Sequence, residues 1–355
     1  MIVEKKKINR FFLLATGPFL GMFIFMMFSF KTIHVEVQPA SYVPAKTLAA
    51  QSEQLKQNLD KAEQTVQATI SSIRRTSALY KQTTAAMNAI VKTAQTQAER
   101  PETIYNRRIS AKLGVPFERV ESSRIRIELY HVNPGVYQGY AMKVKLKDQN
   151  AMQMTLGRDK VGGAETTLQA VNRYGAVAGI NAGGFADSGG KRYPLSTTVL
   201  NGKYVNGFEP SFKDLFFVGL NDAGKLIGGK FSNQAELDRL KPKFGATFVP
   251  VLLKNGQPMP IPDKWKTSPN RAPRTVIGNY KDDQLLIIVV DGYNESGGSG
   301  ATLQELQSKM YGLGIVDAYN LDGGGSSSLI VNGRVVNHPS DGNLRPVPTH
   351  FLFFK

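Results

Sequence analysis

Cysteine is absent from the 355 residues. That excludes disulfides, a thiolate nucleophile and cysteine-based zinc sites. It leaves an extracellular location open, since a domain of this length buries enough core without covalent staples. Histidine is scarce: His34, His131, His338 and His350 are all there is. None stands in a His-x-His or His-x₃-His pair, so nothing points to a histidine metal site. No cofactor is implied with certainty, although Asp291 or Asp322 could hold a divalent cation through oxygen. No glycine-rich loop ends in Gly-Lys-Ser/Thr, which argues against a nucleotide triphosphatase. Gly-x-Ser-x-Gly is missing as well, which argues against an α/β-hydrolase.

Acidic side chains are the minority, and the formal net charge is +16. Residues 1–120 carry 17 basic and 8 acidic side chains; residues 121–355 carry 27 and 20. No basic–aromatic motif accompanies the excess, so nucleic acid is not an expected partner. A polyanionic polymer or an anionic membrane surface suits it better. The length fits one large domain with accessory segments.

The accessory segments come first. A basic tail, residues 1–10, contains Lys5-Lys6-Lys7 and Arg10. It precedes residues 11–30, a run without charge that is long enough to cross a bilayer as a helix. The basic cluster predicts a signal-anchor with the N-terminus inside and the remainder outside the cell. A cleaved signal peptide would want a shorter apolar core and a small-x-small site, and neither is evident. Residues 31–47 read as a linker. Residues 48–98 contain no glycine or proline. Leu59, Val66, Ile73, Tyr80, Met87 and Ala94 recur every seven residues, with Leu55, Ala62, Thr69, Thr76, Thr83 and Ile90 four before each. This a/d heptad, threonine-rich in one position, predicts a helical stalk, either single or a loose coiled coil supporting a homo-oligomer. Residues 99–121 read as a second linker.

From residue 122 onward the pattern changes to short strands. Arg124–Tyr130 and Met142–Leu146 alternate polar and apolar residues. Further strands are expected at 176–180, 197–200, 215–220, 248–253, 275–278 and 285–290, with helices at 166–174 and 303–311. The fold class is therefore α+β: a mixed, largely antiparallel sheet domain with few helices, preceded by a transmembrane helix and a coiled-coil-like helical stalk.

Four polar turns adjoin strand candidates. They are Asn181-Ala182-Gly183-Gly184-Phe185, Asn270 to Thr275, Asp291 to Thr302 and Asp322-Gly323-Gly324-Gly325-Ser326-Ser327-Ser328. Turns gathered at one end of a sheet commonly converge on a site. Three consecutive glycines permit positive φ angles and close approach of backbone N–H groups to a ligand. The third turn opens a helix, whose N-terminus suits an anion. Glu305, in that helix's first turn, would either cap it or serve as a further carboxylate.

NAGGF at 181–185, RAPRTVIG at 271–278, VDGYNESGGSGATLQEL at 290–306 and NLDGGGSSSLIV at 320–331 resemble the phosphodiester glycosidase family, with Arg345-Pro346-Val347 also fitting. The resemblance covers roughly residues 122–355. One departure is Tyr293, where relatives often carry arginine after Asp-Gly. The resemblance implies hydrolysis of a sugar-1-phosphodiester such as that of N-acetylglucosamine, in a phosphate-bearing glycan. An oxocarbenium-like transition state wants carboxylates, and Asp322 and Asp291 are the candidates, with Glu305 third. Arg274 would clamp phosphate oxygens. Gly323, Gly324, Gly325, Ser326 and Ser327 would hold the rest, joined by Gly183, Thr275, Ser299, Thr302 and Arg345, while Asn181 orients sugar hydroxyls or phosphate. Two other roles compete: a non-catalytic module that binds or assembles phosphorylated polysaccharide, and a stalk scaffold carrying a vestigial domain.

Overall fold

The run Leu285–Val290 contains no polar residue because both of its faces are covered. Leu285, Ile287 and Val289 point into one core, and Leu286, Ile288 and Val290 into another. A computed structural model describes residues 2–29, 45–292, 300–340 and 342–355; for 2–15, 45 and 98–102 it describes only the helix they belong to. The chain divides into two units, residues 1–92 and 93–355.

In the second unit Leu285–Val290 lies inside an eight-stranded sheet, between Gly139–Leu146 and Arg274–Asn279. Ile125–Val132 and Glu118–Glu121 extend the sheet on one side, and Asp317–Leu321, Val251–Lys254 and Gln257–Pro258 on the other. One face packs on two five-stranded sheets. The first is built on Phe216–Asn221 and Pro242–Phe248, the second on Leu329–Val331, Ala178–Asn181, Thr349–Phe353 and Met152–Leu156. Between the layers lie Ile180, Phe216, Val218, Phe244, Ile277, Tyr319, Leu329 and Phe351. The opposite face is covered by Leu303, Leu306 and Met310 of helix Leu303–Leu313. Helix Thr167–Tyr174 covers the outer face of the second five-stranded sheet through Ala170 and Val171, against Ile330 and Leu352. Every strand pairing among the described residues is antiparallel. The α+β class with few helices holds.

Two expectations need revision. Residues 248–253 are not one strand. Pro250 has no N–H to give a ladder, and the chain changes sheets there, from Pro242–Phe248 to Val251–Lys254. Residues 99–121 are not an irregular linker: the long helix Ala45–Leu113 runs through most of them, and strand Glu118–Glu121 closes them. Tyr105, Ile109 and Leu113 recur at helical spacing and pack on the core that faces Leu303–Leu313. Lys143, buried against Glu128 at 2.6 Å, also donates to Asn106 and Ser110 of that helix end.

The described part of the first unit is helical. Helix Ile2–Ser29 continues through Pro18. Of the expected span 11–30, the side chains of 11–15 and the whole of residue 30 lie outside the described residues. Residues 16–29, whose side chains are described, are exposed. Among the described residues no helix is long and apolar enough to cross a membrane. The stalk is a single helix, and Leu55, Leu59, Val66, Ile73, Tyr80, Met87 and Ile90 are all exposed along it. Its heptad seam is uncovered; a coiled coil would need a second helix.

Candidate active site

The polar turns meet because of strand register. Arg274 pairs with Val290, and Thr275 with Leu321. The start of Arg274–Asn279 therefore lies beside the ends of Leu285–Val290 and Asp317–Leu321, where Asp291 and Asp322 follow. Leu329 pairs with Ile180, next to Asn181. The turn from Asp322 to Ser328 thus leaves the eight-stranded sheet and enters the five-stranded one. It bridges the two layers.

Asn181 holds that bridge in place. Its Nδ2 donates to the Asp322 carbonyl at 2.6 Å. Its Oδ1 accepts from the Thr275 hydroxyl at 2.9 Å and from the Ser328 N–H at 3.1 Å. Both Asn181 and Thr275 are fully buried. One amide ties three chain segments together, which is a scaffolding task.

Most backbone donors of the glycine turn are already used. The Gly323 N–H reaches Asp322 Oδ1 at 3.0 Å and the Gly324 N–H reaches the Pro273 carbonyl at 2.9 Å. Those of Ser326 and Ser327 bond within the turn, to Gly323 and Gly324. Gly324 adopts φ +60°, a left-handed conformation that side chains resist, with open space where a Cβ would stand. The glycines serve the turn geometry first. The Ser326 and Ser327 hydroxyls are buried without a hydrogen-bond partner among the described residues.

Asp322 Oδ2 is buried and likewise lacks a partner among the described residues. Burial pushes the carboxyl up to about 6, although nearby Ser326, the Gly323 N–H, Arg345 and Arg192 favour its charged form. Arg192 comes from a hairpin, Phe185–Ser188 with Lys191–Pro194. Its guanidinium lies 4.7 Å from the Phe185 ring centroid, pairs with Asp187 at 3.1 Å and donates to the Pro346 carbonyl. No local motif marks Arg192 in the sequence; only the hairpin brings it to the site.

Asp291 is buried and both its oxygens engage His338: Oδ1 accepts the His338 N–H at 2.7 Å, and Oδ2 lies 3.1 Å from Nδ1. A carboxylate can only accept, so Asp291 selects the tautomer with its proton on Nδ1, and the ring is largely exposed. An oriented imidazole of this kind can pass protons. His338 was invisible as a candidate because its partner is 47 positions away. Pro273 packs against Gly292 on one side and Gly323 on the other, so the Asp291 and Asp322 turns share a wall.

Residues 174–354 match the family described as phosphodiester glycosidase. The chain belongs to the phosphodiester glycosidase family. It is 31% identical over 188 residues to the SPbeta prophage-derived uncharacterized protein YomE of Bacillus subtilis, covering 52% of this chain and 28% of that protein. It is 31% identical over 137 residues to the N-acetylglucosamine-1-phosphodiester alpha-N-acetylglucosaminidase of Bos taurus, covering 35% of this chain and 26% of the relative. The chain thus spans about a quarter of the length of these curated relatives. Among solved structures it resembles the zebrafish enzyme of the same name, a catalytic domain auto-inhibited by its pro-peptide. The TM-score is 0.53 at 18% identity, over 68% of this chain and 86% of that one, which is a likeness of fold.

Within this family member the remaining candidates sit less centrally. Glu305 Oε2 accepts the Thr302 N–H at 2.9 Å while the Thr302 hydroxyl accepts the Glu305 N–H at 3.1 Å, a reciprocal cap on helix Leu303–Leu313. Glu305 Oε1 also pairs with Arg271. The carboxylate is occupied, and Thr302 with it. Arg274 is buried, donating to the carbonyls of Pro269 at 2.8 Å and Ala301 at 3.5 Å, and desolvation pulls it down to about 10. A Cβ on Gly183 would stand 2.6 Å from that of Ala246, so close strand packing requires this glycine. Ser299 and Tyr293 lie outside the described residues. Among the described residues no group of three or more histidines and carboxylates is placed to hold a metal ion.

Proposed function

We propose that the domain hydrolyses a sugar-1-phosphodiester, releasing sugar from a phosphoryl-linked group of a surface or extracellular glycan. The observation that carries this reading is Asp322: a half-buried residue whose Oδ2 is shut away from solvent without a well-formed hydrogen bond among the described residues, set beside the Ser326 hydroxyl, Arg192 and Arg345. Water adds to the anomeric carbon as its bond to the phosphodiester oxygen breaks. Asp322, ionised at neutral pH, supplies negative charge beside the developing oxocarbenium ion. The departing phosphate monoester keeps the bonding electrons, and the two arginines stabilise its charge. His338, oriented by Asp291, moves the proton between water and product. The substrate class is taken from the family.

The test uses the full chain and a nitrophenyl phosphodiester of N-acetylglucosamine 1-phosphate. Sugar release that Asp322→Asn abolishes supports hydrolysis. Retained glycan binding with no turnover in the parent would sink it in favour of a binding module. Residues 11–30 are proposed to anchor the chain with the domain outside the cell, on the strength of the uncharged run behind a basic cluster. Recovery of the full chain in the soluble fraction after expression would count against that. The exposed heptad seam is proposed to self-associate; sedimentation as a monomer would refute it.

A further inference from the structure

A second feature adjoins the site: a pocket of about 440 Å³ whose lining contains four cations, Arg158, Lys160, Lys191 and Arg192, and no acid. One wall comes from the loop 158–164, the other from the turn of the Arg192 hairpin, and Pro346 completes the lining. The walls are stitched together, since the Arg192 N–H donates to the Gly162 carbonyl at 3.3 Å and its guanidinium to the Pro346 carbonyl. The first wall is also held in shape. Arg158 and Asp159 take left-handed backbone angles, φ 54° and 58°, and the Arg158 N–H is gripped by Glu165 Oε1 at 3.1 Å. The acids nearby are committed elsewhere. Asp159 pairs with Arg173 and the Tyr174 hydroxyl, Glu165 pairs with Arg173 at 2.6 Å, and Asp187 pairs with Arg192. The side chains of Arg158, Lys160 and Lys191 are left exposed, with no ion pair among the described residues.

Four cations around one pocket repel one another, and an anion carrying several oxygens relieves that. Arg192 belongs to both places: it lines the pocket and its charge acts on Asp322. We propose that this pocket holds a second phosphate of the same polymer, one further along the chain from the phosphodiester at Asp322. The inference rests on the hydrolase reading and narrows its substrate to a glycan with repeated phosphates, as opposed to a single capped sugar.

The test is a calorimetric titration of the full chain with tripolyphosphate, beside the triple variant Arg158→Ser/Lys160→Ser/Lys191→Ser, which spares Arg192. Three exposed ion pairs of modest individual strength together predict about tenfold weaker binding and a shallower salt dependence. Lys160→Arg/Lys191→Arg, which keeps the charge, is expected to bind like the parent. Equal tripolyphosphate affinity in the triple variant and the parent overturns the proposal. So does tighter binding of a single-stranded oligonucleotide than of tripolyphosphate, which would assign the pocket to nucleic acid. The titration needs no turnover, so it decides the pocket whether or not sugar release is ever seen.

Discussion

Asp322 should destabilise the fold it serves, by an amount that depends on pH. Its carboxyl is pushed from the ordinary 3.8 up to about 6, chiefly by burial. A group whose native pKa lies above its unfolded value binds its proton more tightly in the native state. Below pH 3.8 both states are protonated and there is no penalty. The penalty grows as the pH rises from roughly 4 to 6 and is constant above that. The gap corresponds to about 3 kcal/mol at 1.36 kcal/mol per pH unit. Asp322→Asn removes the charge yet keeps an oxygen for the Gly323 N–H, now 3.0 Å away. The variant is therefore expected to gain up to about 3 kcal/mol at pH 8, roughly 6–12 °C in melting temperature for a domain of this size, and nothing at pH 4. Thermal melts and urea titrations of parent and variant from pH 4 to 8 read this directly. A variant no more stable than the parent at pH 8, or a gap that ignores pH, refutes the reasoning. A gain in stability together with lost turnover would mark a residue retained for chemistry at a cost in stability.

Sugar release should fall as the pH drops below about 6, where Asp322 takes up its proton; a kcat/KM profile flat to pH 4 would remove Asp322 from the reaction. His338→Gln should lower kcat by about 10²- to 10³-fold with little change in melting temperature, because the ring is exposed; a parental rate would reduce the Asp291–His338 pair to a structural contact. Asn181→Ala strands a hydroxyl, an N–H and a carbonyl in the core and should cost about 3–5 kcal/mol in urea unfolding; a loss under 1 kcal/mol would show that the bridge is held by other means. Thr302→Ala breaks the reciprocal cap and should cost about 1 kcal/mol in the same assay, and no loss would contradict the capping role.

Periodicity in the chain was enough to reveal the α+β class, the apolar run Leu285–Val290, the long helix and the polar character of the four turns. These features are local: alternation and heptads report burial and backbone angles of neighbouring residues. The turn motifs were also enough to point to the family, which the match over residues 174–354 then established. The sequence could not say which polar groups would be spent on structure. Asn181, Glu305, Thr302 and the turn N–H groups look like ligand binders in one dimension. The register of Arg274–Asn279 against its neighbours turns Asn181 inward to Thr275 and Ser328, and the cap consumes Glu305. Nor could it pair Asp291 with His338 or bring Arg192 near Asp322. Those meetings depend on sheet order and on a hairpin folding back over Pro346, and the spacing of residues along the chain carries no record of either.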